Sequence, residues 1–375
     1  MKRTLTGMAK RHGEGLWKAA RVAINDVLGV KKDETVLIVT NPQKDVLDIS
    51  MALYDASVMA KGSPSLIVQE TKSQLDFAEP SVVNSLSSEP DCMISISLEK
   101  LGKDRIRMKS PIKVGKKKYD HIFNYLLGEG KSRAFWSPSI TKKMFIKTVP
   151  VNYPQMRMLC KKISKVLTKA TEVRITTKKG MDLRIGLKGR KALADDGDFR
   201  KPGRGGNLPC GEVFISPALG KSNGIIAFDG SIASDKGVIK IKKPIMVDVK
   251  DGFVKRVYGG SDANKLQGTL QRAIRQIGAF QREGKITKKI ADEYRKNVYN
   301  LGELGIGLNN KASIVGNILE DEKVFRTCHI AIGANYDDDA NTIIHLDGLI
   351  QRPTMTASIG TKEQMIMSNG NLLVK

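Results

Sequence analysis

Two histidines in the last quarter of the chain lie in short apolar runs of the kind that form buried strands. His329 stands in CHIAIG and His345 in IIHLDG. His345 and Asp347 are two residues apart, so their side chains point to the same face of an extended strand. An imidazole and a carboxylate in this arrangement can bind one metal ion, and the spacing therefore predicts a metal site.

Glu303 and Glu212 extend this candidate metal site. His329 and Glu303, the latter in LGELGIGLN, have apolar, glycine-rich neighbours, among which an unpaired buried carboxylate would be costly. Glu212 is the single acid of NLPCGEVFISP. Three carboxylates and two imidazoles are more than one tetrahedral ion needs. They suit two divalent cations about 3.5–4 Å apart that share a carboxylate and a water.

Five motifs of the chain occur in the order found in one enzyme family. They are NLPCGEVFISP, GIIAFDGS, GELGIGLN, DEK followed by CHIAIG, and IIHLDG, with FWSPSITKKMF further upstream. Together they resemble the aminopeptidase T and aminopeptidase S family of two-metal exopeptidases. The resemblance implies a hydrolase that releases the N-terminal residue of a peptide, and a homodimer. Carboxylate-rich sites of this kind accept zinc, cobalt, manganese or magnesium.

The resemblance also implies roles for Tyr336 and Glu322. Tyr336 lies seven residues after His329, where the family has its catalytic tyrosine, and would donate a hydrogen bond to the oxyanion. Glu322, in DEKVFRTCH, resembles a further acid near the metals. Either Glu322 or Glu303 would carry a proton to the departing amine. The run 337–339 is expected to be a solvated turn, with capture of the substrate's ammonium group as the alternative.

Two other functions compete with the peptidase hypothesis. His329, His345 and Asp347 form a two-histidine, one-carboxylate set that suits a single Fe(II) and dioxygen chemistry. Ring-cleaving dihydroxypyridine dioxygenases resemble the aminopeptidase family. A one-iron site has no use for Glu212 and Glu303, and the presence of both favours the peptidase. The other alternative is a basic nucleic-acid-binding protein with a structural metal site.

The formal net charge of +24 is the reason to consider nucleic acid. Basic residues cluster in KDRIRMKSPIKVGKKK and KKISKVLTK, but no aromatic residues alternate with these lysines, so no stacking platform is predicted. Residues 301–350 are acidic instead, with eight acids and three bases. We interpret most of the lysine excess as solvated surface and keep contact with RNA or DNA as a minor alternative.

The hydrophobic pattern divides the chain into two parts. Up to about residue 149, short apolar runs alternate with helical spacing, which predicts an α/β layer with a mostly parallel sheet. Beyond residue 170, apolar and polar residues alternate, as in EVRITTKKGMDLRIGL, which predicts antiparallel strands. We therefore predict an α/β scaffold domain over residues 1–152. An α+β metal-binding catalytic domain rich in antiparallel strands would cover 153–375.

Individual elements can also be predicted. The expected strands of the first domain are VLIVT, SLIV, CMISIS and AFWS, and the expected helices are 46–60, 120–127, 153–169, 263–277 and 287–297. No GxGxxG follows the first strand, so no nucleotide site is predicted.

The location of the protein is predicted from the absence of targeting features. No apolar run reaches the about 18 residues of a membrane helix. The N-terminal residues lack the apolar segment of a secretory signal. We expect a cytoplasmic protein that does not contact membranes.

Overall fold

The computed structural model describes residues 4–73 and 76–374. The chain divides into two compact units. The first contains the residues up to Tyr153 together with Asp195–Cys210, and the second contains Pro154–Ala194 and the residues from Gly211 onward.

The segment Asp195–Cys210 departs from the predicted division at residues 152 and 153. It follows the first part of the second unit in sequence but belongs to the first unit. The physical reason is a strand pairing, because Gly205–Asn207 runs parallel to Arg133–Pro138 at the edge of the sheet of the first unit. Three residues of strand are too short a signal to be recognised in the sequence.

The helices of the described residues include all five that the sequence predicts, with ends that differ by a few residues. They are α1 (Leu5–His12), α2 (Glu14–Val22), a π-helix (Ala23–Leu28), α3 (Lys44–Met59), α4 (Pro80–Leu86), α5 (Arg105–Lys109), α6 (Ile122–Gly128), α7 (Lys142–Thr148), α8 (Tyr153–Lys169), α9 (Ser261–Arg282), α10 (Lys288–Asn297) and α11 (Ile318–Asp321). None of these helices is both long enough and apolar enough to cross a membrane.

The strands include the four that the sequence predicts for the first domain. They are β1 (Thr35–Thr40), β2 (Ser63–Val68), β3 (Cys92–Ser97), β4 (Ile112–Val114), β5 (Lys117–Tyr119), β6 (Arg133–Pro138), β7 (Glu172–Thr176), β8 (Asp182–Gly186), β9 (Leu193–Asp195), β10 (Gly205–Asn207), β11 (Glu212–Ile215), β12 (Ser222–Phe228), β13 (Ser231–Ser234), β14 (Gly237–Lys240), β15 (Ile245–Lys250), β16 (Phe253–Tyr258), β17 (Leu301–Gly307), β18 (Thr327–Gly333), β19 (His345–Gln351), β20 (Thr354–Ile359), β21 (Lys362–Ser368) and β22 (Asn371–Leu372).

The first unit contains the predicted parallel sheet. Its strand order is β10-β6-β3-β1-β2, and each neighbouring pair runs parallel. All six residues of β3 are buried, as expected for a strand that is covered on both faces. Leu37 and Met93 of the sheet belong to one apolar cluster with Val82 of α4 and Leu126 of α6.

The second unit contains two sheets that are rich in antiparallel pairs. One has the order β16-β15-β12-β8-β7-β20-β21-β22 and includes the predicted hairpin, in which Val173 pairs with Ile185 and Ile175 with Leu183. Helix α9 packs against β15 and β16.

The other sheet of the second unit has the order β14-β13-β19-β18-β17-β11-β9. Every residue of β17 and β18 is buried. The strands that carry the predicted ligands therefore form the centre of this sheet.

Candidate metal centre

The predicted ligands lie on four adjacent strands, β11, β17, β18 and β19. Glu303 on β17 lies opposite Ala331 on β18, and Ala331 lies opposite Asp347 on β19. Paired residues of antiparallel strands point to the same face of the sheet. Glu303 and Asp347 therefore flank the small side chain of Ala331, which leaves room above β18.

Glycines opposite the other ligands leave similar room on this face. His345 pairs with Gly333, and Glu212 pairs with Gly307. His329 pairs with Gly305, and a Cβ added to Gly305 would overlap the imidazole, nearest at Nε2. The ring of His329 thus lies across β17, which is possible only because residue 305 has no side chain.

One group of donors contains Glu212, Glu303 and His329. His329 Nε2 lies 2.9 Å from Glu303 Oε1 and 3.6 Å from Glu212 Oε2. The donor atoms of the group all lie within 4.8 Å of one another, and all three residues are buried. This spacing is suitable for a single cation between them.

The second group contains Glu303, His345 and Asp347. His345 Nε2 lies 3.5 Å from Glu303 Oε2 and 3.2 Å from Asp347 Oδ1. His345 Nδ1 lies 2.9 Å from the carbonyl oxygen of Ala334, to which it donates when it carries the proton. This hydrogen bond leaves the lone pair on Nε2, which faces the carboxylates, as in metal-binding histidines.

Glu303 belongs to both groups, with Oε1 near His329 and Oε2 near His345. A further carboxylate oxygen, Glu212 Oε2, is buried and has no hydrogen-bond partner among the described residues. Burying such an oxygen without a partner is costly, and a cation would remove that cost. The residues present therefore fit divalent cations.

The charged neighbours in the site shift the pKa values of its histidines and of Asp347 more than burial does. Burial favours the neutral imidazole, but the hydrogen bond and charge of Glu303 outweigh it and raise the pKa of His329 to about 9. The pKa of His345 is likewise raised, because the Asp347 carboxylate outweighs burial. The same contact lowers the pKa of Asp347 to about 2 in spite of burial. In the metal-free protein the imidazoles thus bind protons that a metal ion would displace.

Tyr336 lies at the rim of the site and is not among the donors. The residue is 56% exposed, and its ring stands edge-on to His345 with 5.2 Å between ring centroids. The ring also lies near Phe214, with 5.1 Å between ring centroids. Desolvation and the charge of the nearby carboxylates raise the pKa of the phenol, so the hydroxyl keeps its proton at neutral pH.

The acids that follow Tyr336 are paired with an arginine. Arg190 forms ion pairs of 2.8 Å with Asp337 and with Asp339. The side chain of Arg190 is only 14% exposed, whereas those of the two aspartates are about one third exposed or more. Residues 337–339 are exposed, as expected for a solvated turn, and the ion pairs with Arg190 anchor two of its three acids.

Glu322 lies beside the site but belongs to neither donor group. Its Oε1 accepts a hydrogen bond of 2.6 Å from Lys323 Nζ. Burial raises the pKa of Glu322 to about 8.

Lys323 is the functional candidate that the sequence analysis missed. Its side chain is fully buried, and Nζ also lies 2.5 Å from Glu212 Oε1. The available signal was its place in DEK, directly before the strand of His329, where a lysine between acids and an apolar run has to find a partner.

Comparison with known proteins places the chain in a family. A family model described as 2,5-dihydroxypyridine 5,6-dioxygenase matches residues 141–335, slightly more than half of the chain. The chain belongs to the 2,5-dihydroxypyridine 5,6-dioxygenase family. The match with this dioxygenase family includes Glu212, Glu303 and His329 and ends before His345 and Asp347. No curated protein sequence matches the chain.

Two solved structures are similar to this member of the dioxygenase family. The 2,5-dihydroxypyridine dioxygenase from Pseudomonas putida KT2440 has a TM-score of 0.70 and 15% identity, over 96% of this chain and 97% of that one. Wild-type AmpT from Thermus thermophilus, an aminopeptidase, has a TM-score of 0.67 and 15% identity. The match covers 97% of this chain and 100% of the AmpT chain. At this identity the similarity shows the fold, which is that of two different classes of enzyme.

Proposed function

We propose that the chain is a metal-dependent aminopeptidase that hydrolyses the first peptide bond of its substrate with two divalent cations. The observation that carries the proposal is the position of Glu303, whose Oε1 lies 2.9 Å from His329 Nε2 and whose Oε2 lies 3.5 Å from His345 Nε2. A carboxylate with one oxygen in each of two donor groups is suited to bridge two ions. A site for one iron would not use Glu212 as a ligand and would leave its side chain only the hydrogen bond with Lys323.

The two donor groups define the ligands of the two cations. Glu212, Glu303 and His329 would hold one, and Glu303, His345 and Asp347 would hold the other. When bound, the cations would lower the pKa of a water towards neutrality and polarise the carbonyl of the first peptide bond. Zinc, cobalt, manganese and magnesium are the ions that such a ligand set accepts.

Tyr336 stabilises the developing oxyanion. Its raised pKa keeps the phenol protonated, and its exposure lets it reach a substrate at the rim of the site. The rings of Phe214 and His345 both pack against its ring. The hydroxyl donates a hydrogen bond to the carbonyl oxygen as negative charge forms there.

Glu322 carries the proton to the departing amine. In the metal-free protein the pKa of Glu322 is about 8, and a group that takes up and releases protons near neutral pH is suited to general acid and base catalysis. Glu303, the other candidate, is unsuitable, because its hydrogen bonds to His329 and His345 outweigh burial and lower its pKa. Glu303 therefore stays ionised as a ligand.

The acidity of the metal-free site favours cations. Glu212, Glu303, Glu322 and Asp347 converge in one buried region, in a protein whose net charge is +24. A field of this sign attracts divalent metal ions.

The proposal is tested on protein stripped of metal and titrated with cobalt, zinc or manganese. We expect hydrolysis of leucine p-nitroanilide and of short peptides to appear as metal is added. The N-acetylated forms of the same substrates, which lack the ammonium group, should be hydrolysed far more slowly. If no metal supports hydrolysis of any free-amine substrate, the aminopeptidase proposal is rejected.

A second candidate function is ring cleavage by a single Fe(II) and dioxygen. It is favoured by the match to the 2,5-dihydroxypyridine 5,6-dioxygenase family and by the two-histidine, one-carboxylate set of His329, His345 and Asp347. Its test is oxygen consumption by the ferrous-loaded protein with 2,5-dihydroxypyridine. Oxygen uptake dependent on that substrate, with one iron per chain, would replace the aminopeptidase proposal.

The homodimer implied by the resemblance to the aminopeptidases also remains a proposal. Light scattering coupled to size exclusion would show a mass of twice 41.2 kDa for a dimer.

A further inference from the structure

Lys323 has no part in the proposed reaction, yet it is a fully buried lysine that contacts the candidate metal centre. Its Nζ lies 2.5 Å from Glu212 Oε1 and 2.6 Å from Glu322 Oε1. A buried ammonium is stable only when its charge is paired and its N–H groups have acceptors, which Glu212 and Glu322 provide. The ammonium is thus a positive charge built into one side of a site for cations.

The backbone at Lys323 is held close to the strand that pairs with Glu212. Gly307 lies opposite Glu212 in the sheet, and a Cβ on Gly307 would overlap the Val324 carbonyl. The carbonyl of Lys323 also accepts a hydrogen bond of 2.8 Å from the backbone N–H of Asn309. The chain at Lys323 therefore packs directly on β17, next to Glu212, in a space that depends on glycine.

The contact with Lys323 changes what Glu212 can offer a cation. Oε1 is already bound to the ammonium, while Oε2 has no hydrogen-bond partner among the described residues and lies 3.6 Å from His329 Nε2. Glu212 thus has one oxygen left for a cation, and its negative charge is partly balanced.

The other donor group lacks such a contact. Among the described residues, Glu303, His345 and Asp347 form ion pairs only with the two histidines, and no lysine or arginine pairs with them. Lys323 acts on Asp347 only through its charge and makes no hydrogen bond to it. The two donor groups therefore differ in direct contact with the ammonium.

We infer that Lys323 makes the two cation positions unequal. The position at Glu303, His345 and Asp347 binds its cation tightly, and the position at Glu212, Glu303 and His329 binds a cation that is readily lost. A divalent cation on Glu212 Oε2 shares one carboxylate with the ammonium on Oε1, and like charges this close repel each other. The inference rests on the two cation positions of the proposed function.

This inequality makes the state of the site depend on metal supply. At low metal concentration the protein holds one ion, and at higher concentration it holds two. Hydrolysis that needs both ions would then follow the concentration of free metal.

The experiment measures metal binding, with activity as a separate readout. Metal-stripped protein is titrated with cobalt by calorimetry, and the cobalt that remains after dialysis is counted by mass spectrometry. For the unaltered chain we expect two binding events whose Kd values differ by about 100-fold or more, and one ion retained.

The variant Lys323→Gln removes the charge and keeps an N–H donor for Glu212. We expect the Kd of its weaker binding event to fall by about tenfold or more. Two ions should remain bound after dialysis. Lys323→Arg keeps the charge and should keep the inequality. Lys311→Gln, at an exposed lysine of the same loop region, serves as the matched control and should bind like the unaltered chain.

Circular dichroism shows whether each variant folds, and Lys323→Met replaces Lys323→Gln if the latter does not. Two events of equal affinity in the unaltered chain would overturn the inference, as would weaker second binding in the neutral variant. Unequal binding without hydrolysis would reject the aminopeptidase and leave the role of Lys323 standing. Equal binding with hydrolysis would reject the role of Lys323 and leave the aminopeptidase proposal standing.

Discussion

Gly305 lies directly opposite His329, and the imidazole of His329 fills the space where a side chain on Gly305 would be. The contact between His329 and Glu303, and thus one half of the candidate metal centre, depends on this missing side chain.

Gly305→Ala is therefore expected to displace the imidazole. Overpacking of a buried site destabilises a protein by about 1–3 kcal/mol, and the displaced ring can no longer share a cation with Glu303 and Glu212. We expect a lower melting temperature and the loss of one of the two bound ions. Gly278→Ala, in helix α9 with no close contact at its Cβ position, is the control and should be neutral or stabilising.

Glu303→Gln should abolish turnover while the fold is retained. The amide has the shape of the carboxylate but not its charge, so neither donor group keeps its shared ligand. We expect kcat to fall by at least about 100-fold, the scale of losing one electrostatic contact in an active site. Glu363→Gln, at an exposed position of β21, should leave kcat unchanged. Near-normal activity of Glu303→Gln would contradict the ligand assignment.

Tyr336→Phe tests the hydroxyl apart from the ring. Phenylalanine keeps the contacts with Phe214 and His345, so the metal content should stay the same. Because only the oxyanion contact is lost, we expect kcat to fall by about 10- to 100-fold with little change in KM. A change confined to KM would show that the residue binds substrate and does not act in the transition state.

Arg190→Gln is expected to loosen the loop that carries Tyr336. The variant loses the ion pairs with Asp337 and Asp339, which are partly exposed and contribute about 1 kcal/mol or less each. We expect a severalfold lower kcat with unchanged metal content. Arg184→Gln, which breaks the exposed ion pair with Glu172, is the matched control and should not affect kcat.

The stability of the metal-free protein should fall as the pH rises from about 6.5 to about 9. The pKa of His329 in the folded state is raised to about 9, above its ordinary value of 6.5. The folded protein therefore binds more protons than the unfolded chain in this interval, and the stabilisation present below pH 6.5 is lost as the imidazole deprotonates. The raised pKa of His345 acts in the same direction.

Urea unfolding in the presence of a chelator, at intervals between pH 6 and pH 10, checks this expectation. The apparent affinity for cobalt should show the opposite trend and rise with pH, because the imidazoles then lose the protons that compete with the metal ion. A metal-free stability that is constant or increases over this interval would contradict the proton-binding role of His329.

The sequence predicted the candidate donors because each belongs to a local pattern. The spacing of His345 and Asp347 follows from the two-residue period of a strand, and the apolar neighbours of Glu303 predict burial. The parallel sheet of the first unit and the hairpin of the second were predicted on the same local grounds. The segment 195–210 was assigned to the wrong unit, because its short strand has no local signature.

The sequence by itself determined which side chains are present, which of them share a strand face, and which strands are buried. Only the tertiary structure decided that Glu303 lies between two donor groups and that the ammonium of Lys323 contacts Glu212, 111 residues away along the chain. Strand order and register are set by pairing between distant segments, and the small residues Gly305 and Gly307 become informative only when their partners across the sheet are known.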